Sequence, residues 1–166
     1  MAQQGAHGGG EPLAPALIGG LPPRVPALAE RFRAVADTAP VLIWVTAKDR
    51  SRAFVNQAYV DFYGSTYEAA RDADWRAVLH PDDHQRILEE SLAGEATGEP
   101  FSMEGRYRRH DGEWRTILTH ARPRLSPTGE LLGLIGVNTD VTEAREAEAE
   151  LTRSRTELQA MVEQSA

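Results

Sequence analysis

Between Leu131 and Leu158 the residue pattern changes period at Asp140-Val141-Thr142, and this change limits what the rest of the chain can fold into. Upstream, Leu131-Leu132-Gly133-Leu134-Ile135-Gly136-Val137 is too apolar for a surface helix and carries two glycines, so it predicts a buried strand. Downstream, the residues become Glu, Arg, Ala and Leu with neither Gly nor Pro, a helical composition. A core strand thus feeds directly into an exposed helix, a junction able to carry a change in the core outward. Along that helix Ala144, Ala147, Leu151, Ser154, Leu158 and Met161 alternate spacings of three and four, which predicts a dimerising seam with Leu151 and Leu158 in one position. The seam is short and partly small or polar, so alone it is marginal.

The remaining chain supplies the sheet that such a strand needs. Residues 1–27 are rich in Gly, Pro and Ala without either period, which predicts a disordered leader. Leu28, Phe32 and Val35 mark a short amphipathic helix that Pro40 stops. Val41 to Thr46 and Ala53 to Val55 read as a strand hairpin, and Asn56 as the N-cap of a helix that Gly64 ends. A further helix through Ile87, Leu88 and Leu92 precedes three strand-like runs, joined by turns at Asp111-Gly112 and Pro127-Thr128-Gly129. Five strands with helices inserted between the second and third predict an α+β fold: an antiparallel sheet with helices on one face, enclosing a small-molecule cavity.

His80-Pro81-Asp82-Asp83-His84 invites a metal or acid/base reading. A helix start explains it better, because Pro suits the first helical position and the two carboxylates complement the helix dipole. With no nucleophile motif and no phosphate loop, no catalytic residue and no metal ligand is assigned. Charge and composition exclude more. A net charge of −7 leaves no basic stripe for nucleic acid. The apolar residues near the N-terminus are interrupted by Gly19, Gly20, Pro22, Pro23 and Pro26, so they form no membrane span. With zero Cys there is no disulfide, thiolate ligand or cysteinyl adduct, which suits a cytoplasmic setting.

Asn56-Gln57-Ala58-Tyr59, Trp75 with His80-Pro81-Asp82-Asp83, Asp111-Gly112-Glu113-Trp114-Arg115, Arg122-Pro123, Gly129, Gly133, Gly136 and Asp140-Val141-Thr142-Glu143 together resemble the PAS sensor domain with its C-terminal PAC portion. The likeness runs from about Leu28 to Glu143 and is nearest the subclass repeated in bacterial sensor histidine kinases and cyclic-di-GMP enzymes. It implies a PAS/PAC domain over residues 28–142, followed by a signalling helix over 143–166. Residues 32–40 and 158–166 match in character, so a second copy of the domain is expected to begin where this chain stops. By register with the flavin-binding branch of the family, Asn138 faces the pocket, together with Leu132, Leu134 and Gly136. The same register turns Thr116, Leu118 and His120 inward, with Leu42, Trp44 and Thr46 lining the first strand. Absence of Cys excludes flavin–cysteinyl chemistry. Haem ranks low, because only His120 is placed to ligate it and haem sensors of this family ligate from a helix. The cofactor is otherwise left open.

The resemblance also implies a homodimer through the domain and its C-terminal helix, and a relay in which Asp140, Val141 and Thr142 set the exit angle of that helix, Thr142 being its expected N-cap. Catalytic output, a kinase or a cyclase, then belongs to other segments of a larger protein. The alternative is a ligand-free dimerisation and spacer module whose cavity is filled by Trp44, Leu118 and Leu134.

Overall fold

The computed structural model describes residues 27–165, so the expected leader lies outside the described residues apart from Ala27, and Ala166 lies outside them too. The elements run α1 (Leu28–Asp37), β1 (Leu42–Thr46), β2 (Arg52–Val55), α2 (Gln57–Tyr63), α3 (Tyr67–Asp72), α4 (His84–Thr97), β3 (Phe101–Arg108), β4 (Trp114–Leu125), β5 (Leu131–Asp140) and α5 (Thr142–Gln164). Two 3₁₀ turns, Trp75–Val78 and Pro81–Asp83, precede α4. The strands form one antiparallel sheet in the order β2-β1-β5-β4-β3. The most apolar run of the sequence therefore occupies the centre of the sheet, hydrogen-bonded to β1 on one side and β4 on the other.

The inner face carries Trp44, Val55, Ile117 and Ala121 against α2, α3 and α4. On the outer face α1 lays Ala36 on Val45 and Phe54, with Phe32 and Phe54 ring centroids 5.2 Å apart. Val55, Ile87 and Ile117 are essentially solvent-free. Burial of each such side chain contributes about 1.5–3 kcal/mol.

Asn56, expected as an N-cap, does more. Its Oδ1 accepts from Tyr59 N at 3.2 Å, which caps α2, and from Ile43 N at 2.8 Å. Its Nδ2 donates to the carbonyls of Ala36 at 2.8 Å and Val41 at 2.9 Å. One fully buried amide thus fastens α1, β1 and α2 together. The helix-start reading of residues 80–84 also holds. His80 Nδ1 accepts from Asp82 N at 3.1 Å, and Asp83 receives the Arg106 side chain at 2.8 and 3.0 Å and the Arg106 backbone N at 2.9 Å. Among the described residues no group of three or more metal-binding side chains forms.

Two irregularities alter the expected faces. Between β1 and β2 the ladder passes from Val45↔Phe54 to Thr46↔Arg52, leaving Ala53 as an extra residue. Between β4 and β5 it passes from Leu125↔Leu131 to Arg124↔Gly133, leaving Leu132 unpaired and 41% exposed. Gly133 makes this bulge sterically accessible: its φ is +134°, and a Cβ there would collide with the carbonyl oxygen of Thr46. Counting from the turn without the bulge places Leu118 opposite Asn138; with it, Thr119 takes that place. Thr116, Leu118 and His120 accordingly lie on the outer face, and Ile117, Thr119 and Ala121 on the inner one. A slip of one residue reverses every side chain of a strand. Leu132 likewise leaves the inner face, while Leu134, Gly136 and Asn138 keep it.

Candidate functional site

Between the inner face of the sheet and α2–α4 lies a cavity of about 760 Å³. Its sheet side is formed by Leu42, Trp44, Ile117, Thr119, Leu134 and Asn138, with Thr46 at one end. Five residues anticipated as pocket residues, Leu42, Trp44, Thr46, Leu134 and Asn138, thus border the cavity. Thr116, Leu118 and His120 do not. His120 instead sits with Nδ1 2.6 Å from Ser102 Oγ, so the imidazole considered for haem does not reach the cavity. Leu118 cannot plug the cavity from the outer face either. Trp44 is turned over Gly136, where a Cβ would run into the indole, and the space beside it remains open.

Asn138 orders the cavity floor. Its Oδ1 accepts from Trp44 Nε1 at 2.9 Å and from Thr119 Oγ1 at 3.0 Å. An indole N–H can only donate, so the amide must present its oxygen there and keep its two N–H donors free. Three further donors border the cavity and were missed in the sequence: Arg52, Tyr63 and Tyr107. The Arg52 guanidinium lies over Trp44 and Tyr59, with Cζ 4.8 and 5.1 Å from the ring centroids. Its Nη1 is buried without a hydrogen-bond partner among the described residues. Tyr63 stacks on Tyr59 with centroids 4.9 Å apart and accepts from the Tyr59 hydroxyl at 3.3 Å. Burial pushes the phenols of Tyr63 and Tyr107 well above their ordinary range, so both stay protonated and able to donate. Simple alternation from Val55 and Phe54 points Arg52 outward. The extra residue at Ala53 re-aims it, and no local sequence signal announces that bulge.

The other end of β5 is built on ion pairs. Arg115 Nε donates to Asp140 Oδ2 at 2.7 Å, and Arg115 Nη2 to the Glu143 carboxylate. Asp140 Oδ1 accepts from Thr142 N at 3.0 Å and from Thr142 Oγ1 at 2.6 Å. Thr142 Oγ1 in turn accepts from Thr116 N at 2.8 Å, and Val141 N donates to Thr116 O at 2.9 Å. Thr142 is therefore the first residue of α5 and not its N-cap. Val141 holds the cap position and Asp140 supplies the oxygen, because the Thr142 hydroxyl is already committed to Asp140 and Thr116. Burial raises the Asp140 carboxyl, but the bonds from Arg115 and Thr142 outweigh it and leave it below its ordinary value. A second clamp runs from Arg145 on α5 to Glu104 on β3, at 2.9 and 3.0 Å. Farther along α5, Leu151 and Leu158 are 64% and 63% exposed.

A family model described as the PAS fold matches residues 52–138. The protein y4lL of Sinorhizobium fredii is 35% identical over 120 residues, 72% of this chain; the match spans only 14% of that relative. A sensory box histidine kinase/response regulator from Burkholderia thailandensis superposes with a TM-score of 0.60 at 24% identity, over 78% of this chain and 98% of that one. The N-terminal domain of a diguanylate cyclase with PAS/PAC sensor from Marinobacter aquaeolei gives 0.57 at 17% identity, over 63% and 98%. At these identities the two solved structures speak for the fold alone, whereas the family model extends over more than half of the chain. With the sheet order, the inner-face cavity and the strand-to-helix exit, it places this chain in the PAS fold family.

Proposed function

We propose that the chain is a cytoplasmic sensory module of a larger signalling protein, in which occupancy of the inner-face cavity biases the orientation of α5. The observation that carries this reading is the double use of β5. Its inner residues Leu134 and Asn138 border the cavity, and two residues beyond Asn138 the same strand enters the Arg115–Asp140–Thr142 clamp. A ligand that favours one arrangement of that clamp shifts its population by its differential affinity, about 1.4 kcal/mol for a tenfold change. Leu151 and Leu158 supply the apolar seam through which α5 pairs in a homodimer and passes the change on. The origin of the two solved neighbours, a sensory box histidine kinase and a diguanylate cyclase, agrees with such a setting, as does the greater length of the Sinorhizobium relative. No helix among the described residues is long and apolar enough to cross a membrane. The open cavity favours sensing over a purely spacing role.

The test is Asp140→Ala in the full-length signalling protein. The variant is expected to fold, with a far-ultraviolet circular dichroism spectrum like that of the parent, and to lose the dependence of output on stimulus. Output that still follows the stimulus would count against the relay.

A further inference from the structure

The cations around the cavity are not equivalent. Lys48, Arg50, Arg71 and Arg76 each hold a carboxylate of their own, from Glu130, Glu95, Asp72 and Asp74 respectively. Arg52 holds none among the described residues. Its guanidinium rests on two ring faces, and one buried nitrogen has no acceptor. Ring faces attract a cation but accept no in-plane hydrogen bond, so the buried nitrogen stays unsatisfied there. The neighbouring polar groups do not relieve it. Tyr63 and Tyr107 are phenols, close enough for the Arg52 charge to act on them, and Asn138 has already given its oxygen to Trp44 and Thr119. What the cavity offers is one positive charge and several N–H and O–H donors beside an apolar wall that includes Leu42, Phe62, Met103 and Ile117.

We propose that the cavity binds a small organic monoanion, a carboxylate on an apolar body, with the carboxylate seated on Arg52. This rests on the sensory reading above and specifies the chemistry of its ligand. A single unpaired cation matches one carboxylate, and the planar guanidinium fork suits its two oxygens. Asn138 Nδ2 and the Tyr63 hydroxyl are the additional donors. The apolar body lies along the wall, with Leu88 and Leu92 of α4 also bordering the cavity. A volume of about 760 Å³ is within the range of small-molecule sites.

The experiment is isothermal titration of the 166-residue chain with benzoate, phenylacetate and hexanoate, each against its amide. At least one carboxylate is expected to bind, and its amide about tenfold or more weaker, since the amide cannot answer the charge. Arg52→Gln is expected to erase that preference. Asn138→Asp keeps both bonds accepted from Trp44 and Thr119, adds a negative charge, and is expected to abolish carboxylate binding. Circular dichroism and melting of each variant confirm that it is folded. Amides that bind as well as the acids, a preference that survives in folded Arg52→Gln, or no carboxylate binding to the parent chain at about 10 mM, where the binding free energy would be weaker than about 3 kcal/mol, would each overturn the proposal. The binding result is independent of output. A chain that binds carboxylates while its Asp140→Ala variant signals normally refutes the relay alone, and the converse outcome refutes the ligand class alone.

Discussion

Arg52 and Arg115 both turn their guanidinium groups away from bulk solvent, yet their surroundings are opposite. Arg115, with 11% of its side chain exposed, is gripped by Asp140 and Glu143, and its charge is answered from two sides. Arg52 lies over Trp44 and Tyr59 and is answered by no carboxylate among the described residues. One arginine is spent on holding strand to helix. The other lies against two rings with no carboxylate to answer its charge among the described residues, the arrangement on which the proposed carboxylate site rests. The difference separates what stabilises this fold from what the fold keeps ready.

The largest effect is expected at Arg115. Arg115→Gln leaves Asp140 partly buried without its main cationic partner and removes the Glu143 tether on the first turn of α5, at a cost of about 2–3 kcal/mol. Urea denaturation followed by circular dichroism measures it. A loss below about 0.5 kcal/mol, the range of an ordinary surface pair, would dissolve the contrast with Arg52.

Asp83 extends the comparison to another paired arginine, Arg106, and ties the start of α4 to β3. Hydrogen bonds from the Arg106 side chain, assisted by its backbone N–H and opposed by burial, lower the Asp83 carboxyl from 3.8 to about 2. A folded value below the unfolded one means that the stabilisation is fully present above about pH 4 and disappears as pH falls through about 2. Solvent reaches the Arg106 guanidinium and screens the pair, so the contribution is about 1–2 kcal/mol. Asp83→Asn is expected to narrow the difference in stability between pH 6 and pH 2.5 by about that amount. An unchanged difference would show that the acid sensitivity of the fold resides in other carboxylates.

The sequence revealed the scaffold more fully than the cavity, for a physical reason. Gly64, Pro81, the capping bond that Asn56 accepts from Tyr59 N and the period change at Asp140 are signals written within a few residues of sequence, so caps, turns and element order were readable. Five antiparallel strands and an inner-face cavity followed from them. The face of each side chain depends on register, and both departures from simple alternation are bulges beside the cavity. The bulge at Leu132 moved Thr116, Leu118 and His120 to the outer face, and the one at Ala53 brought Arg52 inward. Gly133, a glycine inside a strand pattern, was the available signal for the first. Nothing in Arg52-Ala53-Phe54-Val55 announced the second. The Arg115 clamp joins residues 25 to 28 positions apart and needed the β4–β5 register before it could be seen.

The smallest effect is the most discriminating. Arg52→Met keeps an unbranched side chain against Trp44 and Tyr59 and removes the charge. The ring contacts lose about 1–2 kcal/mol of cation–π attraction. Removal of the one buried nitrogen that has no acceptor returns a similar amount. The net change in stability of the unliganded chain is therefore expected to lie within about 1 kcal/mol of zero, with either sign, by the same urea titration. A loss as large as that of Arg115→Gln would mean that Arg52 is a structural rivet whose partner is the aromatic pair itself, and the distinction between the two arginines would collapse. A near-zero change means that the charge does not serve folding, as expected of a group whose partner enters from the cavity.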